Sequence, residues 1–440
     1  MEIISERKYL SADGLFEIVR RGFELSAKDP RIEGGDIPLT DFLMSAFAMF
    51  SLKYPSLLAF EKDRGDSNLK TIYGIKKIPS DSQMRTVLDQ LSADSVRPLF
   101  KDIFRQLQRG KVLEQFAYMD GKYLLSLDGT GYFSSDKIHC ESCLEKKHRN
   151  GEITYSHQML GAVIVHPDLR EVIPLAPEPI IKQDGNSKND CERNAAKRFL
   201  EQLRKDHPHL PLIVIEDGLS SNAPHIRELK KHNLSYILGA KDGDHPFLFE
   251  QVEQADRNSL TTIFEIQDDD KPAITHKFRF LNQVPLNESN PDLLVNFLEY
   301  WEISQDKVKH FSWVTDFIIT SSNAFKIMRG GRARWKIENE TFNTLKNQDY
   351  HFEHNFGHGS KNLSVVLAMI MMLAFLVDQT QQLCCEIFCA AWDKLGSKNS
   401  LWFKIRGLFD NHIITSMLQL YHAILYGFDK QVLVARNTYL

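Results

Sequence analysis

The sequence predicts a mixed α/β protein whose sheet carries a β-rich insertion, with helical regions before and after it. Three observations lead there. Short apolar runs such as YLLSLDG and LPLIVIEDG alternate with amphipathic segments such as DCERNAAKRFLEQLRKDHP, the strand–helix alternation of an α/β sheet. Residues 244–320 then carry further strand-like runs (LTTIFEIQ, ITHKFRFLNQVPL, LVNFLEYWEIS, KHFSWVTDFIIT) ahead of the next helix, so they read as an insertion. The first and last stretches of the chain show helical periodicity instead. The expected organisation is a helical region over 1–118, a first part of the α/β core over 119–243, the insertion over 244–320, a second part of the core over 321–385 and a helical region over 386–440.

Element by element, TDFLMSAFAMFSL is apolar almost all round and is expected to be buried. IPSDSQMRTVLDQL offers Ser80 or Asp81 as N-cap to a helix with Met84, Val87, Leu88 and Leu91 on one face. SVRPLFKDIFRQLQRGK places Arg97, Lys101, Arg105 and Arg109 at four-residue spacing, opposite Val96, Phe100, Ile103, Phe104 and Leu107. From Tyr123 onward YLLSLDG, YSHQMLGAVIVHP and EVIPLAPEPI read as strands, and the next helix turns Ala196, Phe199, Leu200 and Leu203 inward. LPLIVIEDG and SYILGAK are strands around the helix SNAPHIRELKKHN. SNAFKIMRGGRARWKIENETFNTLKNQ reads as helix, a break at Gly330–Gly331, then helix. The run Leu363–Val377 is shorter than a membrane span and is closed by Asp378, so a buried core helix and no membrane association are expected.

Composition is that of an ordinary globular chain, 42% hydrophobic and 25% charged, with net charge -4. Near neutrality means that any contact with nucleic acid must come from local basic clusters. Six cysteines in 440 residues, with one Cys-x-x-Cys pair, do not form a disulfide framework, so a reducing cytoplasm is expected. The N-terminus lacks the pattern of a signal peptide, and no Gly-x-Ser-x-Gly elbow points to a serine hydrolase.

Two strands end alike, at Asp128 in SLDG and Asp217 in IEDG, and a later helix carries Glu338 in RWKIENETF. Functional side chains gather at strand ends in open α/β sheets. Either aspartate alone would read as a turn residue. Three carboxylates from distant segments together suit two Mg²⁺ or Mn²⁺ ions, which at about 4 Å apart clamp the attacking and leaving oxygens of an in-line phosphoryl transfer. Arg334 and Glu338 lie four apart on one helical face, Lys346 lies eight beyond Glu338, and Phe342 and Leu345 are placed to anchor this helix on the sheet.

The set SLDG, IEDG, RWKIENETFNTLK and HFEHNFGHG resembles bacterial insertion-sequence transposases of the DDE class. In that class a β-rich insertion follows the second aspartate, and a helix with Arg, three residues, Glu, six residues, Lys supplies the third acid. Arg334 and Glu338 keep the first spacing. Seven residues separate Glu338 from Lys346 and five separate Glu340 from it, so Glu340 stands as the alternative third acid; Gly331 replaces the tyrosine that precedes the arginine. The resemblance implies a ribonuclease H-like fold and Asp128, Asp217 and Glu338 as catalytic ligands of two Mg²⁺ (or Mn²⁺) ions. It also implies terminal inverted-repeat and target DNA as partners, and a homodimer on the DNA. The expected activity is cleavage at element ends and strand transfer into target DNA, in a cytoplasmic, nucleoid-associated protein. The alternatives are a non-catalytic DNA-binding descendant, or a ribonuclease H-like nuclease without strand transfer.

DNA contacts are expected from the basic cluster Arg332, Arg334 and Lys336, from Lys346, and from Arg97, Lys101, Arg105 and Arg109, whose alternative reading is a solvated face. Cys140, Cys143, His148 and His157 form a candidate structural Zn²⁺ site, the alternative being a reduced, packed cysteine pair. His351, His354 and His358 read as packing residues of a loop, with metal or phosphate contact as alternatives. Trp301 reads as a core residue or as a stacking platform for a displaced base.

Overall fold

The computed structural model describes residues 8–32, 35–63, 65–182, 191–268, 273–305 and 307–427; residues 1–7 and 428–440 of the expected terminal regions lie outside that set. The described N-terminal region holds α1 (Ala12–Ser26), α2 (Leu39–Ser51), α3 (Leu57–Glu61), α4 (Ser67–Tyr73), α5 (Asp81–Leu88) and α6 (Arg97–Arg109). Ser80, not Asp81, caps α5: its hydroxyl accepts from the Gln83 backbone while the Gln83 side chain returns to the Ser80 N–H. Helix α2 is buried on nearly every side, as its all-round apolar sequence requires.

The sheet begins with β1 (Tyr123–Ser135), β2 (Leu144–Lys147), β3 (Ile153–Val165), β4 (Ile173–Pro174) and β5 (Glu178–Ile180). Strands β2, β4 and β5 pair with β3, which runs antiparallel to β1. After α7 (Glu192–Asp206) come β6 (Leu212–Glu216), α8 (Ala223–Lys231) and β7 (Ser235–Gly239). β6 is parallel to β1, and β7 to β6. All five residues of β6 are buried, which is why it reads as a continuous apolar run.

The insertion opens with a helix, α9 (Pro246–Arg257), whose Leu248, Phe249 and Val252 face inward. It continues as β8 (Thr262–Gln267), β9 (Thr275–Asn287), β10 (Asn290–Ser304) and β11 (Lys307–Thr315). These strands extend the same sheet: β11 pairs antiparallel with β7, giving the order β2-β3-β1-β6-β7-β11-β10-β9-β8. The unpaired edge that β7 would otherwise present is thereby covered.

Helix α10 (Ala324–Arg332) runs straight through Gly330 and Gly331, correcting the expected break. Both glycines serve close approach: a Cβ on Gly331 would overlap the Trp313 indole, and one on Gly330 would press on Ile237 and Tyr118. A π-helical segment (Ile337–Phe342) follows and runs directly into α11 (Asn343–Asn347).

Helix α12 (Leu363–Cys384) is long and apolar enough to cross a membrane, yet 94% of its apolar window is buried inside the protein. It continues past Asp378, whose carboxylate is not a terminus but a buried acceptor for Lys53 Nζ at 2.6 Å and for the Tyr350 hydroxyl. The final helices α13 (Glu386–Leu395), α14 (Lys398–Asn411) and α15 (Met417–Tyr426) return to the N-terminal ones. Asp13 accepts from the Met417 and Leu418 N–H groups at 2.8 and 3.1 Å, and the Asn68 amide donates to the Phe409 and His412 carbonyls. Both ends of the described chain therefore pack into one helical layer around α12.

Candidate active site

The parallel register of β1 and β6 positions two acids. Its last pair is Ser126 with Ile215, and Asp128 and Asp217 each lie two residues beyond it, at the same end of the ladder. Asp128 is not at the end of its own strand, which runs on to Ser135; it lies just past the point where β6 stops. Asp217 has left the ladder, and its Oδ1 accepts from Leu219 N at 3.0 Å, capping a single 3₁₀ turn.

The third acid arrives on the π-helical segment. Arg334 joins it to the sheet, with Nη1 3.0 Å from Glu338 Oε1 and 3.5 Å from Asp128 Oδ2. The Ser126 hydroxyl donates to the Arg334 carbonyl at 3.1 Å, tying the helix start to β1. Phe342 lies over Gly161, the β3 residue paired with Asp128, where a Cβ would come within 2.7 Å of the ring. Leu345 is fully buried behind it. Glu340 points elsewhere, into the field of Lys336 and Lys398. A π turn holds one residue more than an α turn, and that extra residue accounts for the seven-residue spacing from Glu338 to Lys346.

Burial pushes the Asp128 carboxyl up to about 7; Arg334 opposes the rise, while Glu338 and Glu192 add to it. Glu192, in the first turn of α7, accepts from Gly129 N at 3.1 Å. It too is raised by burial, then by Asp217 and Glu216. Several half-buried carboxylates thus share one field, with Arg334 lying against Asp128 and Glu338. Charge repulsion of this kind, on hard oxygen donors, fits divalent-cation binding. The sequence reading missed Glu192, because an acid in a first helical turn resembles ordinary capping chemistry.

Beside Asp217 opens a cavity of about 420 Å³ between Lys241, His310, Arg332, Arg334 and Trp335. Trp335 is 48% exposed, with the Arg334 guanidinium over its ring at 4.5 Å. Arg332 is held by Glu302 Oε2 at 2.6 Å and lies over Phe311. Lys336 donates to the Leu169 carbonyl, and Lys346 pairs with Glu353 at 2.8 Å.

The four cations of α6 are less alike than their spacing suggests. Arg97 is bound by Glu178 at 2.8 Å and Lys101 by Asp206 at 3.4 Å, so this half of the helix packs against β5 and α7. Glu178 and Asp206 lie 81 and 105 residues away in sequence, and Asp94 pairs with Arg97 locally at 3.3 Å. Arg105 pairs with Asp102 at 3.2 Å and, like Arg109, is exposed. Trp301 is half-buried rather than in the core, stacked on His310 with centroids 5.1 Å apart.

A second cluster contains Cys140, Cys143, His157 and His358. His148, expected in it, instead contacts the Thr154 hydroxyl at 2.7 Å across an exposed turn. His358 takes that place; its signal, the histidine-rich HFEHNFGHG, was visible but carried no information about partners. His351 and His354 stay outside the cluster.

An antiparallel ribbon continued by parallel strands, with acids where the parallel pairing ends, defines a ribonuclease H-like protein. Residues 140–376, more than half of the chain, match the family described as Transposase DDE domain, and the chain belongs to that family. Asp217 and Glu338 fall inside the match; Asp128 precedes it. Transposases of this family are enzymes that cut and transfer DNA, generally with divalent metal ions. Among solved structures, a piggyBac transposase synaptic complex with hairpin DNA is 11% identical, with 96% of this chain and 82% of that chain covered at a TM-score of 0.39. The NurA nuclease from Sulfolobus solfataricus is 10% identical, with 62% and 93% covered at a TM-score of 0.25. Neither likeness is close enough to bear on function. No curated protein matches.

Proposed function

We propose that this chain cleaves DNA at the ends of its own element and joins the freed end to target DNA, with Asp128, Asp217 and Glu338 as catalytic carboxylates. The observation that supports this most is the gathering of acids at one end of the β1–β6 ladder: Asp128 and Asp217 each lie two residues beyond its last pair, and Arg334 lies against both Asp128 and Glu338. The three carboxylates would hold two Mg²⁺ or Mn²⁺ ions, with Glu192 close behind Asp128. When bound, the ions supply charge stabilisation for in-line displacement at phosphorus. Arg334 keeps Asp128 and Glu338 together, and Trp335 and Lys241 line the adjoining cavity, where a base and its phosphate can rest. Arg332 lines the same cavity, Lys346 would hold phosphate further along the chain, and exposed Arg105 and Arg109 offer a more distant hold on the backbone. Water attack frees a 3′-hydroxyl, which then attacks a target phosphate. The protein would work as a homodimer on paired terminal inverted repeats, in the nucleoid of a bacterial cytoplasm.

The test is incubation of purified protein with its own flanking DNA ends, in Mg²⁺ or in EDTA, beside Asp217→Ala. Nicking and joining by the wild type alone, and only with Mg²⁺, is the expected result. Nicking without joining would leave a nuclease, and binding without nicking a non-catalytic descendant.

A further inference from the structure

We infer that Cys140, Cys143, His157 and His358 form a structural zinc site that staples the segment between α11 and α12, downstream of Glu338, to the β1–β3 ribbon. Cys140 and Cys143 lie in the loop between β1 and β2, His157 on β3, and His358 between α11 and α12. Their ligand atoms all lie within 4.8 Å of one another. The Cys140 and Cys143 sulfurs are 3.7 Å apart. His157 Nε2 lies 3.3 Å from Cys140 Sγ and 3.5 Å from Cys143 Sγ, and His358 Nε2 lies 3.2 Å from Cys143 Sγ. A tetrahedron with Zn–S of about 2.3 Å and Zn–N of about 2.0 Å has S–S edges of about 3.8 Å and S–N edges of about 3.5 Å. The one S–S and three S–N separations above lie within about 0.3 Å of those edges.

Hydrogen bonding alone explains this convergence poorly. Thiols are weak donors and acceptors, and both imidazoles direct Nε2 at sulfur. His157 Nδ1 and His358 Nδ1 are buried with no hydrogen-bond partner among the described residues. The rings are held by packing instead: Tyr132 stacks on His157 at 5.7 Å, and Phe133 lies 4.4 Å from His358. Cys143, His157 and His358 are buried and Cys140 half-buried, which excludes the open coordination position of a catalytic zinc. The two sulfurs are not bonded to each other. Binding Zn²⁺ would release two thiol protons to solvent and leave a neutral Cys₂His₂ centre.

The staple would act on the acid site through the chain that follows Glu338. Residues 360–363 are already gathered by Asp89, which accepts the N–H groups of Ser360, Lys361, Asn362 and Leu363 at 3.0 Å each. Burial would raise the Asp89 carboxyl, but those backbone donors hold it below the ordinary range. With Asp89 on one side and a metal at His358 on the other, the segment leaving α11 is pinned at two points.

Full-length protein purified under reducing conditions from zinc-supplemented cells is expected to carry about one zinc per chain by plasma mass spectrometry. Cobalt substitution should give the thiolate charge-transfer and visible bands of a tetrahedral site. His358→Ala and Cys143→Ser should each lower bound zinc at least about tenfold. His148→Ala, outside the cluster, should leave it unchanged. Where a variant does not fold, stripping zinc from wild type and following the melting temperature on re-addition serves instead. Zinc below a tenth per chain together with no cobalt spectrum overturns the inference, as does zinc retained by both cluster variants. None of these measurements uses DNA or Mg²⁺, so they stand or fall separately from the transposase reading.

Discussion

Two clusters of ligand-type side chains hang from one β ribbon, and they are built in opposite ways. On β1 and β3, Asp128 is paired with Gly161 and Phe133 with His157, so the acid site and the Cys/His site are only a few residues apart. The acids are half-buried and carry like charge, and Arg334 lies against two of them. The cysteines and histidines are mostly buried, with their ligand atoms within 4.8 Å of one another. A catalytic metal site must stay open for substrate and electrostatically incomplete until its ions arrive, whereas a structural site can be closed in advance. The segment between Glu338 and His358 joins one kind of site to the other.

The strongest way to break this contrast is Asp217→Ala. Mg²⁺-dependent end cleavage should fall on the order of a thousandfold, equivalent to a barrier about 4 kcal/mol higher, with zinc content and melting temperature unchanged. A parallel loss of zinc or of fold would mean that the two clusters are one structural unit.

A rim acid supplies the contrast in pH. Burial would raise Glu302, but Lys309 and Arg332 outweigh it and hold the carboxyl at about 2. Its folded pKa lies below its unfolded value, so its stabilisation is full above about pH 4.5 and is lost as pH falls toward 2. The loss should be at most about 3 kcal/mol. Denaturant titrations between those pH values should show a shallower acid decline for Glu302→Gln than for wild type.

Arg334→Ala should destabilise metal-free protein by about 2 kcal/mol, because Asp128 and Glu338 then face each other without a cation. Added Mg²⁺ should recover much of that loss in a thermal melt; no recovery would argue against ions between these carboxylates. The smallest effect is expected of Glu192→Gln, which keeps an acceptor for Gly129 N. It should weaken Mg²⁺ affinity about tenfold, read from the metal dependence of cleavage, and leave strand joining intact at saturating metal.

Much of this molecule was legible locally. The apolar run of β6, the cap at Ser80 and the all-round apolarity of α2 follow from side chains within one element, so periodicity and capping rules reach them. The candidate acids were also read locally, Asp217 from its place just after β6 and Glu338 from the helical spacing to Arg334, whereas the strand end expected at Asp128 is not one, since β1 runs on to Ser135. What failed did so wherever partners come from elsewhere in the chain. The glycines at 330 and 331 looked like a break because Trp313, against which Gly331 packs, lies in a strand of the insertion. Arg97 and Lys101 read as DNA contacts or a solvated face because Glu178 and Asp206, which they pair with, are distant in sequence.

By itself the sequence determined the class of fold and singled out Asp128, Asp217 and Glu338 as candidate acids and Cys140 and Cys143 as a candidate ligand pair, because these depend on residue type and short spacing. Only the tertiary structure decided that Glu338 rather than Glu340 faces Asp128, that a π turn absorbs the added residue before Lys346, and that His358 rather than His148 joins the cysteines. Each of those choices turns on a helix rotation or a loop path, which is set by packing against segments that local sequence does not encode.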